Sequence, residues 1–372
     1  MTNRSSMPAV STYGVYRPGV SSEDLQLILE KTPASVWDVL RGQHVFLTGG
    51  TGFVGCWLLE ALLWASEQLA LNLRVTVLTR QPDNFHRKAA HLASHPSVRL
   101  LKGDVLDLSQ FDEAVDIVIH AATDVASGSS DPVQVFDDIV NGTKETLALS
   151  LRCKAQRYLL TSSGAVYGRQ PSDMDGVDET FQGAPDTLEP TTAYGQGKRA
   201  SEWLVQCHAR QYGLQTAIAR CFALLGPYLP LDAHFAAGNF INDVLSGRDI
   251  TVKGDGTAYR SYLYAADMTI WLLTILANGK KETAYNLGSS TGVSIRELAE
   301  ASSVLSERTS SVIIASAPLP SVRPLRYVPC VNKAMTELGL REYTSLQSAL
   351  KKTFEWAKRQ KELPHSFGIN HV

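Results

Sequence analysis

The chain has 372 residues, of which 44% are hydrophobic and 19% charged, and its formal net charge is −2 at pH 7. These values are typical of a globular protein with a full core, and the charge gives no reason to expect a nucleic acid or an anionic membrane as partner. The five cysteines are scattered without CxxC or metal-ligand spacing, and no apolar run reaches transmembrane length. We therefore expect a cytoplasmic protein that binds no metal, membrane or nucleic acid.

Residues 1–42 precede the first long strand pattern. Leu25 and Ile28 lie at helical spacing after Ser22, and a second short helix is predicted near Val36–Leu40. We expect this N-terminal extension to pack on the surface or on a neighbouring subunit, without a direct role in chemistry.

A short apolar strand then runs directly into three glycines at GxxGxxG spacing. The strand is predicted over Val45–Thr48, the glycines are Gly49, Gly52 and Gly55, and a helix is predicted over 54–70. In a dinucleotide site the first glycine allows a tight turn, the second lets the backbone approach a pyrophosphate, and the third lets helix and strand pack closely. The segment predicts an NAD or NADP site formed by Gly49, Thr51, Gly52, Phe53, Val54 and Gly55.

Strands and helices alternate along the following 150 residues or so. Strands are predicted over Val75–Thr79, Val98–Leu101, Ile117–His120, Tyr158–Thr161 and Gln215–Arg220, and helices near 84–94, 133–153 and 193–211. Buried β-rich runs that alternate with helices predict an α/β fold with a doubly wound parallel sheet, known as the Rossmann fold.

After Arg220 the pattern breaks into short elements between prolines and glycines, as expected for a smaller lobe that closes over a substrate. We predict a Rossmann domain over residues 43–220, to which about 265–290 return. A smaller, interleaved C-terminal substrate lobe is predicted over 221–264 and 291–372.

Tyr194 and Lys198 form a YxxxK pattern at the head of the predicted helix 193–211. A spacing of four places both side chains on one helical face. An ammonium beside a phenol favours the phenolate, so we expect Tyr194 to exchange protons at a pKa below its usual value of about 10. The pair predicts a proton-transfer site downstream of the dinucleotide site.

Three further strand ends complete the pattern. They read Gly103-Asp104-Val105, His120-Ala121-Ala122 and Ser162-Ser163-Gly164-Ala165-Val166-Tyr167-Gly168. With the glycine motif and YxxxK, and in this order, these segments resemble the extended short-chain dehydrogenase/reductase family, specifically its nucleotide-sugar epimerase/dehydratase branch. The resemblance covers roughly residues 43–356 and implies an enzyme that acts on a nucleotide-diphosphate sugar with NAD or NADP.

The resemblance also implies contacts with the cofactor at the strand ends. Asp104 would accept a hydrogen bond from the adenine amino group, with Val105 beside the ring. Ala121 and Ala122 would line the cofactor pocket with small side chains. The predicted cofactor site is completed by Tyr194 and Lys198, of which Lys198 would hold the nicotinamide ribose.

Arg80 directly follows the second predicted strand. At this place a carboxylate commonly accepts hydrogen bonds from the adenosine ribose of NAD, and here there is none. An arginine would suit the 2′-phosphate of NADP through a charge-assisted contact. The residue therefore favours NADP over NAD.

By the same resemblance, Ser163 hydrogen-bonds the reacting sugar oxygen beside the tyrosine. We therefore expect Ser163, Tyr194 and Lys198 to be the catalytic residues. Thr123 would lie near the nicotinamide or the sugar, and Arg260 has the bidentate geometry to grip the diphosphate. The predicted substrate-binding residues are Thr123, Ser163, Arg260 and, as a second phosphate ligand, Arg323.

Gly164 and Ala165 occupy positions at which the relatives differ. The 4,6-dehydratases carry an Asp-Glu pair there, and the decarboxylases carry a Glu at the second position. Removal of water from C5 and C6 needs a positioned acid and base, and glycine and alanine supply neither. We therefore expect hydride removal from C4, a 4-keto sugar and C4 epimerisation. The same residues would also support reduction of a 4-keto sugar.

Three alternatives remain open at this point. One is a dehydratase that takes its acid from elsewhere, such as Asp232 or His234. Another is a reductase of a non-sugar carbonyl, against which a diphosphate grip at Arg260 argues. The third is a catalytically silent NAD(P)-binding regulator of a partner, against which the intact catalytic residues argue. The sugar and the nucleotide are not determined by the sequence.

Relatives with this motif set pair through two long helices, so we expect a homodimer. In this chain the two helices are those predicted near 133–153 and 193–211. Their apolar residues suit either the interface or the core, and the sequence does not separate the two. They include Leu147, Leu151, Trp203 and Leu204.

Overall fold

The computed structural model of the protein describes residues 16–123, 131–233, 235–318 and 323–362. Residues 1–15 of the predicted N-terminal extension and His234 lie outside this range. Over the described residues, no helix combines the length and the apolarity that crossing a bilayer requires. In the same part of the chain, no three His, Cys, Asp or Glu side chains are grouped so that they could hold a metal ion.

The elements follow in chain order over the described residues. The strands are β1 (His44–Thr48), β2 (Arg74–Thr79), β3 (Val98–Lys102), β4 (Ile117–His120), β5 (Arg157–Ser163), β6 (Gln215–Cys221), β7 (Leu224–Leu225), β8 (Ile250–Val252), β9 (Tyr259–Arg260), β10 (Leu263–Tyr264), β11 (Thr283–Leu287), β12 (Val293–Ser294), β13 (Val312–Ile314) and β14 (Arg326–Tyr327). The α-helices are α1 (Ser22–Lys31), α2 (Ala34–Leu40), α3 (Phe53–Leu69), α4 (Pro82–Lys88), α5 (Ala90–Ala93), α6 (Pro132–Arg152), α7 (Ala193–Tyr212), α8 (Ala236–Leu245), α9 (Ala265–Asn278), α10 (Ile295–Ser303), α11 (Asn332–Leu338) and α12 (Leu346–Glu362).

Seven of these strands form one central sheet in the order β11-β6-β5-β4-β1-β2-β3, and all neighbouring pairs are parallel. The order reverses at β1, which pairs with β2 on one side and with β4 on the other. Helices α3 and α9 cover one face, while α6 and α7 pack together on the other. The predicted doubly wound parallel sheet is confirmed. A ligand is expected at the carboxyl ends of the strands next to the reversal.

The prediction of one continuous helix near 84–94 is wrong. The helix predicted near 84–94 is two short helices, α4 and α5, separated by Ala89. This residue has φ −150° and ψ 65°, which is not helical, and its side chain is buried in the main core. The burial of Ala89 in the core overrides the local helical pattern. The periodicity of the sequence does not reveal this burial.

The described part of the N-terminal extension packs against the helices of the central sheet. Leu25 and Ile28 of α1 are fully buried in the main core, and α1 packs on α3 and α9. The carboxylate of Asp24 is also buried, and it accepts hydrogen bonds from Tyr264 and from Lys352. Residues 16–40 therefore pack on the outside of α3 and α9 and complete the core with their apolar face, and the expectation that they have no direct role in chemistry stays a prediction.

Short strands after β6 build the remaining part of the molecule. The three-stranded sheet β12-β9-β14 brings Tyr259–Arg260 beside Arg326–Tyr327 through the parallel pair β9–β14. Strand β11 lies next to β6 at the edge of the central sheet, and α9 packs against both. We retain as a proposal the division into a Rossmann domain and an interleaved substrate lobe.

Candidate active site

The glycine-rich turn between β1 and α3 has the geometry of a phosphate cradle. Gly49 has φ +69°, and a Cβ there would lie 2.5 Å from the carbonyl oxygen of Ala121. A Cβ at Gly55 would lie 2.3 Å from the carbonyl oxygen of Gly49, so both positions require glycine. A Cβ at Gly52 would meet only that same carbonyl, at 3.3 Å, and is otherwise open. The side of the turn that carries Gly49 and Gly55 is therefore packed against backbone atoms. The side at Gly52 is open, and a pyrophosphate would approach there.

The first turn of α3 adds donors to this cradle. Its N-cap is Gly52, which has no side chain to accept hydrogen bonds from the first N–H groups of Phe53 and Val54. The carbonyl of Thr51 accepts a hydrogen bond from the Nζ of Lys88 at 2.7 Å, which ties the turn to α4. Uncapped N–H groups at a helix N-terminus favour an anion, so these residues fit the predicted dinucleotide site.

The residues predicted at the adenosine end lie at the ends of β2 and β3. Arg80 is exposed and follows the last residue of β2. The Oδ1 of Asp104 accepts a hydrogen bond from the backbone N–H of Leu106 at 3.0 Å, and its side chain is exposed. Val105 is half-buried and packs near Gly142 of α6. Asp104 thus shapes a turn, and its exposed carboxylate is accessible to a ligand.

The end of β4 is held against the glycine turn. The backbone N–H of Ala122 donates to the hydroxyl of Thr48 at 3.1 Å, and the same hydroxyl pairs with the Nδ1 of His120 at 2.8 Å. Burial lowers the pKa of His120 to about 3, and the charge of Lys198 acts in the same direction. The imidazole is therefore neutral at physiological pH, and its role is to fix the strand end that carries Ala121 and Ala122.

Lys198 lies at the centre of the site. Its Nζ donates to the hydroxyl of Thr123 at 2.6 Å and to the carbonyl oxygen of Thr161 at 2.7 Å. The side chain is buried, and this burial lowers the pKa of Lys198 to about 8, while Cys221 and Glu202 oppose the change. The structure therefore brings together Thr123 and Lys198, which the sequence placed 75 residues apart.

Tyr194 differs from its prediction in its protonation. Burial raises the pKa of Tyr194 above its ordinary value, a hydrogen bond to Ser163 opposes this, and nearby Tyr327 and Cys221 add to it. The Nζ of Lys198 lies 5.9 Å from the centre of the phenol ring and is occupied by other acceptors. The expected lowering of the tyrosine pKa is therefore wrong for the protein alone, because burial outweighs the hydrogen bond to Ser163 and the ammonium of Lys198 is bound to other acceptors. Tyr194 is protonated at neutral pH.

Ser163 ends β5 between two phenols. Its Oγ accepts a hydrogen bond from the N–H of Ala165 at 3.1 Å and lies 3.4 Å from the hydroxyl of Tyr327, and the phenol of Tyr194 approaches it from α7. Burial raises the pKa of Tyr327 to about 12, so this second phenol is also protonated. The hydroxyls of Ser163, Tyr194 and Tyr327 therefore form one cluster at the carboxyl edge of the sheet.

Gly164 makes room for this cluster. A Cβ at Gly164 would lie 2.6 Å from the ring of Phe222 and 2.8 Å from the hydroxyl of Tyr327. The rings of Phe222 and Tyr327 are in tilted contact, with their centroids 4.7 Å apart and an angle of 38° between their planes. The space that an aspartate at position 164 would need is therefore filled by aromatic side chains of β14 and of the segment after β6.

Of the two predicted phosphate ligands, the structure brings one to the cluster. Arg260 is half-buried, and its guanidinium lies 5.7 Å from the ring centre of Tyr327. Arg323 is exposed, and among the described residues no hydrogen bond joins it to the other site residues. Its role as a phosphate ligand stays a prediction.

Sequence reasoning missed Tyr327 and Glu202. Tyr327 lies 164 residues from Ser163 in the chain and reaches it through the pairing of β14 with β9, which no local pattern shows. Glu202 follows Lys198 at the same spacing of four that joins Tyr194 to Lys198. Extension of the YxxxK pattern by one helical turn would have found Glu202.

Comparison with known proteins identifies the family. A model of the NAD dependent epimerase/dehydratase family matches residues 45–288, more than half of the chain. The chain belongs to this family. It is therefore an NAD-dependent enzyme of the nucleotide-sugar epimerase/dehydratase type. The structure fits NAD, because the turn over Gly49–Gly55 leaves open the space that a pyrophosphate would take.

Individual relatives carry different activities in their names. UDP-glucuronic acid decarboxylase 1 of Danio rerio is 26% identical over 96% of this chain and 82% of its own length. UDP-glucuronic acid decarboxylase 6 of Arabidopsis thaliana is 31% identical over 69% of this chain and 72% of its own length. The NAD-bound dTDP-glucose 4,6-dehydratase DesIV of Streptomyces venezuelae is 25% identical, with a TM-score of 0.73 over 86% of this chain and 98% of that one.

Proposed function

We propose that this enzyme epimerises a nucleotide-diphosphate sugar at C4 through a 4-keto species. The observation that carries the proposal is the cluster of Ser163, Tyr194 and Lys198 at the carboxyl edge of the sheet, next to Gly164 and Ala165. This cluster contains the groups for proton exchange at one sugar oxygen. The neighbouring positions 164 and 165 supply no acid or base for proton exchange at a second sugar atom.

The residues of the chain divide the work as follows. Tyr194 exchanges a proton with the oxygen on C4, and Ser163 holds that oxygen by a hydrogen bond. The ammonium of Lys198 stabilises the phenolate that forms, and its binding to Thr123 and the carbonyl of Thr161 fixes its position. NAD, when bound, supplies the hydride acceptor and donor. If the 4-keto sugar rotates in the site before the hydride returns, the hydride adds to the opposite face of C4. The configuration at C4 is then inverted.

The dehydratase and decarboxylase activities of the relatives are less well supported in this chain. Ala165 replaces the glutamate of the decarboxylases, and no carboxylate at position 164 fits beside Phe222 and Tyr327. Asp232, the alternative acid, is exposed, and His234 lies outside the described residues. Reduction of a 4-keto sugar uses the same residues and is the second candidate, favoured only if NADPH binds.

Incubation of the purified enzyme with a panel of NDP-hexoses and NDP-hexuronic acids tests the proposal. Mass spectrometry and NMR of the products separate the candidates. We expect an unchanged mass with inversion at C4. Loss of water indicates a dehydratase, loss of carbon dioxide a decarboxylase, and gain of two hydrogens with NADPH a reductase. Each of these results would contradict epimerisation. Cofactor binding without turnover of any sugar would favour a regulatory protein.

We expect replacement of Gly52 by valine to abolish cofactor binding while the protein folds. A Cβ at this position meets one carbonyl oxygen at 3.3 Å, so the fold needs only a small shift, whereas the outer surface of the turn becomes blocked. Titration of NAD with fluorescence detection should show at least a tenfold loss of affinity. Gly55→Ala serves as the contrasting variant and should lose the fold as well, and normal NAD affinity in Gly52→Val would contradict the cradle.

We infer that Arg80 shifts the cofactor preference towards NADP. Its guanidinium follows β2, where it can reach a 2′-phosphate, and one charge-assisted contact is worth about 1.5–3 kcal/mol. Arg80→Ala should therefore lose about ten- to a hundredfold in NADP affinity and change NAD affinity little. Calorimetric titration of both cofactors into both proteins gives the ratio, and an unchanged ratio rules out this role of Arg80.

We propose that the enzyme is a homodimer that pairs through α6 and α7. Trp203 on α7 is 66% exposed, whereas Leu147 on α6 is fully buried and belongs to the core. Trp203→Asp should convert a dimer into a monomer, which light scattering detects. Tyr212→Asp is the matched control, because Tyr212 is also exposed but lies two and a half turns further along α7, on the opposite side of the helix. A wild-type mass near the 40.6 kDa of one chain would contradict the dimer.

A further inference from the structure

Glu202 continues the catalytic face of α7. Tyr194, Lys198 and Glu202 lie at successive intervals of four, so they share one side of the helix. The carboxylate of Glu202 is nearly fully buried. A buried charge is stable only when it is paired, so its partners show what holds it there.

The partners of Glu202 lie on the two strands that carry the active site. Its Oε1 accepts a hydrogen bond from the hydroxyl of Ser162 at 2.5 Å and from the Nε of Arg220 at 3.0 Å. Its Oε2 accepts one from the Nη2 of Arg220 at 2.7 Å. Ser162 immediately precedes Ser163, and successive side chains of a strand point to opposite faces. Glu202 thus holds the end of β5 through Ser162, on the face of the strand opposite to the catalytic hydroxyl of Ser163.

Arg220 extends this network across the sheet. Its Nη1 donates to the hydroxyl of Tyr167 at 2.8 Å, and Tyr167 donates to the Oδ1 of Asn286 on β11 at 2.8 Å. The residue after Arg220, Cys221, pairs in register with Ser163 between β5 and β6. The network therefore fixes the ends of β5, β6 and β11 relative to α7.

Glu202 lies one helical turn after Lys198 on α7, so its charge also acts on the ammonium. Four titratable groups face this ammonium: Tyr194 and Glu202 from α7, His120 from β4 and Cys221 from β6. His120 is neutral, and burial raises the pKa of the Cys221 thiol to about 12. The carboxylate of Glu202 is thus the negative charge that supports the protonated form of Lys198, while Arg220 and Ser162 are the groups bound to that carboxylate.

We propose that Glu202 is a positioning residue of the active site, which places Ser163 through Ser162 and keeps Lys198 cationic through its charge. This inference rests on the proposed roles of Ser163 and Lys198. It assigns a function to a side chain that touches neither sugar nor cofactor.

Two variants separate the two actions. Ser162→Ala removes the hydrogen bond and keeps the charge, so kcat should fall about tenfold while KM and the pH profile remain unchanged. Glu202→Gln removes the charge and keeps an acceptor for Ser162. In that variant kcat and NAD affinity should both begin to fall at a lower pH than in the wild type. We expect both pH values to decrease by about 0.5–1. Glu282→Gln, which removes the half-buried partner of the exposed Arg210, is the control.

A purely structural role predicts different results. Both variants would then lower the melting temperature but leave kcat of the folded enzyme, its pH profile and the pH dependence of NAD affinity as in the wild type, and this would overturn the inference. If no NDP-sugar is turned over by the wild type, the proposed function fails. The pH dependence of NAD affinity in Glu202→Gln, measured by fluorescence titration, still decides whether the carboxylate supports Lys198.

Discussion

Tyr194→Phe should reduce kcat by about 10²–10⁴ while the fold and the NAD affinity remain those of the wild type. The substitution removes one hydroxyl from a buried ring, so packing is kept, but the group that exchanges a proton with the sugar oxygen is lost. Because burial raises the pKa of Tyr194, the lost phenol was protonated in the resting enzyme. Steady-state kinetics and thermal melting on the same preparations measure the two effects.

Tyr327→Phe is the matched control for this variant, since it removes the other phenol hydroxyl near Ser163. It should cost much less in kcat than Tyr194→Phe, because Tyr327 contacts Ser163 only at 3.4 Å and comes from β14 instead of the helix that carries Lys198. A loss below tenfold in Tyr194→Phe, or an equal loss in the two variants, would refute the assignment of Tyr194 as the proton-transfer group.

Lys198→Met should abolish turnover and weaken NAD binding, yet stabilise the fold. The folded protein holds Lys198 with a pKa of about 8 against 10.5 for the free side chain, so at neutral pH it keeps an ammonium where burial disfavours one. A difference of this size corresponds to about 3 kcal/mol, and the two lost hydrogen bonds return part of it. The variant should therefore gain about 1–2 kcal/mol in its free energy of unfolding at pH 7.

The pH dependence of this gain has a definite sign. Between about pH 8 and pH 10.5 the unfolded chain keeps the proton of Lys198 and the folded protein releases it, so the free energy of unfolding of the wild type rises with pH. The advantage of Lys198→Met should shrink over the same range. Denaturant unfolding at pH 7 and pH 9.5 tests this, and a variant that is less stable than the wild type at both values would contradict the account.

The features that the sequence predicted are those encoded by short-range patterns. The strand, glycines and helix of residues 45–69 follow from the spacing of apolar residues and glycines, and the turn requires Gly49 and Gly55 because a Cβ at either would clash with backbone. The shared face of Tyr194 and Lys198 likewise follows from helical periodicity.

The features that the sequence did not predict depend on contacts between distant segments. Asp24 is buried because Tyr264 and Lys352 bind it from more than 200 residues away. Tyr327 reaches Ser163 through a strand pairing, and the break at Ala89 follows from its burial in the core. The raised pKa of Tyr194 also results from burial, which a residue pattern does not measure.

Isotope labelling at the sugar gives the most direct test of C4 epimerisation. An NDP-hexose that the enzyme accepts as substrate is labelled with deuterium on C4 and incubated with the enzyme and NAD in ordinary water. A parallel sample of the unlabelled sugar is incubated in D₂O. We expect NMR to show that the label returns to C4 of a product inverted at C4, and that no solvent deuterium is bound to the carbons of the sugar. Migration of the label away from C4, or solvent deuterium at C5 or C6, would contradict it.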